Sequence, residues 1–68
     1  MNNLTEKIER ASKDVSIKAL EIMDNYKFNK NAKNSELKKL CEENKFLLDY
    51  KEKINHRLYD FIYNTINA

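Results

Sequence analysis

The sequence predicts an all-α chain, an antiparallel helical hairpin of two long helices. Three observations carry this. The 68 residues include neither Gly nor Pro, which sheet proteins need at their turns. Apolar residues recur at helical three- and four-residue spacing along most of the chain. A polar stretch rich in Asn and Lys then divides the pattern in two. At 68 residues, the chain supports one core at most, so residues 1–68 form a single domain.

The first helix is expected over about 3–27. Leu4, Ile8, Ala11, Val15, Ala19, Ile22 and Tyr26 form one apolar stripe on an amphipathic helix. Asn3 with Glu6 three residues later resembles a capping box. The turn is expected over 28–34, where Asn stands in for Gly by tolerating the left-handed backbone that ends helices. Asn34 or Ser35 then caps a second helix over about 35–66, with Glu36 in its first turn. Leu40, Leu47, Ile54 and Phe61 repeat every seven residues within it, the spacing of a heptad seam. The alternative is a break near Glu43-Asn44 that gives a third helix.

Two such helices joined by a short connection lie side by side. Helix 2 then overhangs helix 1 by residues 60–66, and Phe61, Ile62, Tyr63 and Ile66 make that overhang apolar nearly all round. On helix 1, Ile17, Leu20 and Met23 point away from the main stripe. A chain this short builds a weak core, about 3–5 kcal/mol without a staple. The expected solution is a homodimer, two hairpins forming a four-helix bundle.

Composition excludes several classes. Phosphate-cradling glycine loops cannot form without glycine. A single Cys41 allows no disulfide within the chain and suits a reducing, cytoplasmic setting. The longest apolar runs are three residues, such as Phe46-Leu47-Leu48, far short of the roughly 20 that span a bilayer. The opening residues, Met1 to Glu6, lack the basic start and apolar stretch of an export signal. Ten Asn and eleven Lys against two Arg suit an AT-rich coding sequence, as in a low-GC bacterium, its phage or plasmid, or an AT-rich parasite.

Candidate functional residues fall into a few groups. Phe46, Tyr50, Lys53 and Arg57 follow 4, 3, 4 spacing and would share the back of helix 2. In the hairpin they come level with Ile17 and Leu20, giving one outward patch that would bind a protein partner. The overhanging Tyr59, Tyr63 and Ile66 offer a second such surface. Residues 27–34 carry a net charge of +3, more than the +2 of the whole chain. Lys27, Lys30, Lys33, Lys38 and Lys39 would therefore meet an anionic partner such as RNA or DNA.

Other groups read as structural. Glu52, His56 and Asp60 stand in one helical row that converges poorly on a metal ion, so His56 is expected in i,i+4 ion pairs. Cys41, far from the lone His56, is expected in the core as a small hydrophobe. Asn44 and Lys51 interrupt the heptad register, where a polar residue fixes register or weakens self-association. No catalytic constellation, cofactor motif or metal site emerges. The expected function is that of a small non-enzymatic intracellular protein that binds and regulates another protein through helix faces. The alternative is a nucleic-acid-binding module built on the lysine-rich turn and the aromatic–basic face.

Overall fold

The computed structural model describes residues 3–68, and 86% of these are helical, with no strand among them. Helix α1 spans Asn3–Asn25, α2 spans Lys30–Glu43 and α3 spans His56–Ile66, with a 3₁₀ segment over Lys45–Lys53 between α2 and α3. The first helix thus matches its expected extent. Asn3 is itself within the helix, which corrects its reading as the cap, and the Met1-Asn2 start of the segment read as carrying no export signal lies outside the described residues.

The predicted stripe of α1 faces inward. Ile8, Val15 and Ala19 are buried, and Ala11 and Ile22 pack against them half-buried. Leu4, at the first turn, is left exposed. The helix ends without a left-handed residue, since no described residue has a positive φ. Instead the Tyr26 N–H still reaches the Ile22 carbonyl at 3.0 Å, and the Asn29 N–H closes the turn on the Tyr26 carbonyl at 2.9 Å. This corrects the expectation of a left-handed Asn.

The second helix starts earlier than expected. Asn29, not Asn34 or Ser35, is the cap, and its Oδ1 accepts from the Ala32 N–H at 3.1 Å. Lys30 and Lys33 therefore belong to α2, which has no acidic residue in its first turn. Glu36 falls one turn too late to meet the positive end of the helix dipole.

The largest correction concerns residues 35–66, which are not one helix. The chain breaks near Asn44, as the three-helix alternative requires, and again at Ile54-Asn55. Asn44 Nδ2 donates to the Leu40 carbonyl at 2.9 Å, and its backbone N–H is shared between the Leu40 and Cys41 carbonyls, each at 3.2 Å. A polar side chain in the heptad register here serves to end a helix. The 3₁₀ segment kinks at Tyr50 (φ −120°, ψ 42°), and Ile54 is extended (φ −120°, ψ 162°). Asn55 then opens α3, its Oδ1 accepting from the Arg57 N–H at 2.8 Å.

Burial explains why breaking the helix wins. A straight helix would leave the 60–66 end hanging in water. Folded back, α3 buries Ile62 completely and packs Leu58, Phe61 and Ile66 against the same core. Fully burying one such side chain is worth about 1.5–3 kcal/mol. The backbone groups freed at the breaks are partly satisfied by Asn44 and Asn55, so the loss is small.

The helix 2 overhang is therefore absent, and the two-helix hairpin is replaced by a three-helix arrangement. Helix α2 packs against both α1 and α3, the 3₁₀ segment touches all three, and α1 and α3 form no comparable pairing. The heptad residues Leu40 and Leu47 are buried, and Ile54 and Phe61 lie half-buried against them.

Leu47 is wholly buried at the centre of this core. Leu47→Ala should lower the free energy of urea unfolding by about 2–5 kcal/mol, close to the whole expected stability. Asn55→Ala removes only a cap and should lower it by about 0.5–2 kcal/mol. A large Asn55 effect with a small Leu47 effect would contradict this account.

Candidate functional site

Because α1 and α3 do not close on each other, a groove runs between them. It encloses about 510 Å³ and is walled by Val15, Ala19, Leu20 and Met23 of α1 and by Leu58 and Phe61 of α3. Ser12, Lys13 and Ser16 on α1, with Asn55 and Arg57 at the start of α3, complete the lining. Leu20 is 68% exposed and Met23 43% exposed, so the groove leaves considerable apolar surface in water. The hydroxyl of Ser12, on the same wall, is buried without a hydrogen-bond partner, whereas Ser16 Oγ donates back to the Ser12 carbonyl at 3.0 Å.

A larger hollow of about 630 Å³ lies on another side of α1, but Glu6, Lys7, Arg10 and Asp14 line it. Charged walls suit solvent, and the apolar groove is the better binding candidate.

The structure separates the outward patch expected from the hairpin. Phe46 sits beside Lys7 and Ala11, whereas Leu20 and Arg57 share the α1–α3 groove. Phe46 and Tyr50 are half-buried against the core. Lys53 is exposed at the end of the 3₁₀ segment, and Ile17 is 49% exposed on the outer side of α1. The 4, 3, 4 spacing does not make one face, because the backbone between Phe46 and Arg57 is not a continuous α-helix.

Of the overhang surface, Tyr59 and Ile66 are half-buried and Tyr63 is exposed. The two tyrosine rings stack at 6.0 Å with 14° between their planes. Of the groove residues, spacing alone assigned only Leu20 and Arg57 to a site, and it missed Met23, Leu58 and Phe61 among others. Met23 had a signal, since it points away from the apolar stripe of α1, but Leu58 and Phe61 read as ordinary seam residues.

The lysines expected to meet nucleic acid are distributed rather than gathered. Lys27 lies in the turn with its Nζ 5.4 Å from the centre of the Phe28 ring. Lys30 is exposed and Lys33 half-buried, both on α2. Lys38 and Lys39 line one shallow hollow together, but Glu42 and Glu43 share it, and both lysines lie on α2, apart from Lys27 in the turn. Lysines also cover aromatic rings that would otherwise stack on bases. Lys7 Nζ stands 5.1 Å from the Phe46 ring centre and Lys51 Nζ 5.0 Å from that of Tyr59.

His56 pairs with Asp60, Nε2 to Oδ2 at 3.1 Å, as the i,i+4 spacing anticipates. Glu52 belongs to the 3₁₀ segment beyond the break, so it does not extend that row. Among the described residues, no group of three or more His, Cys, Asp or Glu is placed to hold a metal ion. No helix among them is long and apolar enough to cross a membrane. No family model matches the chain, and no curated protein or solved structure matches it either.

Cys41 is wholly buried in the core. Burial pushes its thiol above the ordinary value of 9.0, partly offset by a hydrogen bond with Thr65 of α3. A buried thiol with a raised pKa is a poor nucleophile.

The folded protein holds the Cys41 proton more tightly than the unfolded chain. Its contribution to stability is present below the ordinary thiol range and is lost as pH rises through and above it. Wild-type protein should therefore lose more stability between about pH 7 and about pH 10 than Cys41→Ala does, measured by urea unfolding. A thiol reagent should label native Cys41 at least about a hundredfold more slowly than the unfolded chain. Equal labelling rates would contradict its burial.

Proposed function

We propose that this chain is a non-enzymatic protein that binds and regulates another protein, taking an amphipathic helix of that partner into the α1–α3 groove. The observation that supports this reading is the groove itself. Its floor is apolar, and exposed Lys13 and Arg57 stand on the two helices that bound it. A helix with an apolar stripe and acidic flanks complements both features. Self-association belongs to the same reading. The core is small, Leu20, Met23 and Ile17 remain exposed, and a homodimer supplies the missing burial.

Nucleic-acid binding ranks second. The positive charge is interleaved with acids, and the rings of Phe46 and Tyr59 already lie under the chain's own lysines, while that of Phe28 stays exposed.

A fluorescent model helix of about 18 residues, with leucines at helical spacing and flanking glutamates, serves as the probe for anisotropy titration. It should bind, and Met23→Asp or Arg57→Glu should weaken binding about tenfold or more. A control peptide with lysines in place of the glutamates should bind more weakly. Equal binding of both peptides, or of neither, would overturn the groove reading. Tight, steeply salt-dependent binding of a short RNA in place of the peptide would favour the second reading.

A further inference from the structure

The outer face of α1, opposite the buried stripe, carries a second regular pattern. Glu6, Arg10, Lys13, Ile17, Leu20 and Asp24 follow 4, 3, 4, 3, 4 spacing, the spacing of a coiled-coil seam. Every one of them is exposed, as are Glu9 and Glu21 alongside. Their charges are ordered. Two acids are followed by two bases, then the apolar pair Ile17 and Leu20, then two acids. The ion pairs described within the chain are Lys18 with Asp14 and His56 with Asp60. None involves a member of this row.

The order of signs is self-complementary on reversal. We infer that the outer face of α1 binds the same face of a second copy, with the two helices antiparallel and their two-fold axis near Ile17. In that arrangement Lys13 meets Glu21 of the second copy, and Arg10 meets its Asp24. The isoleucines pack across the axis. A parallel pair would set Arg10 on Arg10 and Asp24 on Asp24, like charges in register. The contact is one helix long with a small apolar centre, in the class of weak, transient interfaces. Its steering charges lie in solvent, so its strength depends on salt. The inference rests on the homodimer reading above and adds the surface, the orientation and the pairing.

Two charge-reversed variants test it, Arg10→Glu with Lys13→Glu, and Glu21→Lys with Asp24→Lys. All four positions are exposed, and circular dichroism checks that each variant keeps its helices. In sedimentation equilibrium the wild-type chain should dimerise. Its dissociation constant should rise about tenfold or more between roughly 50 mM and 500 mM salt. Each variant alone should dimerise at least about tenfold more weakly, and an equimolar mixture should form a heterodimer tighter than either. A wild-type chain that stays monomeric would overturn the homodimer reading itself. A dimer that neither variant weakens, or a mixture no tighter than its components, would overturn this face alone.

Discussion

Asparagine side chains bonded to nearby backbone groups decide where the helices of this protein stop and start. A chain without Gly or Pro lacks the residues that ordinarily break a helix. Asn29 and Asn55 accept from the first N–H groups of α2 and α3, while Asn44 and Asn67 donate back to the carbonyls of Leu40 and Tyr63. The Asn29 and Asn55 bonds supply partners to N–H groups that a helix start would otherwise leave open, while those of Asn44 and Asn67 add a second donor to carbonyls that already accept a backbone N–H. No left-handed residue is needed anywhere in the described chain. The short Asn side chain competes with the helix for its own backbone, and this makes it a poor interior residue and a good boundary.

The core depends on those boundaries. Asn44 and Asn55 delimit the 3₁₀ segment, which the kink at Tyr50 divides into two short pieces, as 3₁₀ geometry favours. That segment sets α3 back onto α2, where Ile62 is buried and Thr65 meets the Cys41 thiol. The same reversal leaves α1 with two unequal sides. One is covered by α2 and the 3₁₀ segment. The other borders a groove that α3 only half closes, beside an exposed row of charges around Ile17 and Leu20. The surfaces open to a partner are what remains after a short chain has buried what it can within itself.

Much of this was legible in the residue pattern. The stripe from Ile8 to Ile22 is the inner face of α1, and the buried place of Cys41 follows from its position beside Leu40. The candidate site was less legible. Phe46 and Arg57 align on paper only if the helix between them is continuous. The 3₁₀ segment turns Phe46 towards Lys7 and leaves Arg57 with Leu20 across the groove. Asn44 carried a signal of two meanings, a polar residue in a heptad seam or a terminator. Asn55 lies one residue after a seam Ile and gave no cue from spacing.

The sequence by itself determined the helical class, the extent of α1 and which residues turn inward. Periodicity and the lack of turn-forming residues act locally, so they can be read from one chain segment at a time. Only the tertiary structure decided that residues 35–66 break into α2, a 3₁₀ segment and α3, and that α1 and α3 enclose a groove. A seven-residue repeat is satisfied equally by a straight helix against a second copy and by a broken one folded on itself. The choice rests on where Leu58, Phe61 and Ile62 find apolar neighbours, a long-range packing quantity that no local pattern contains.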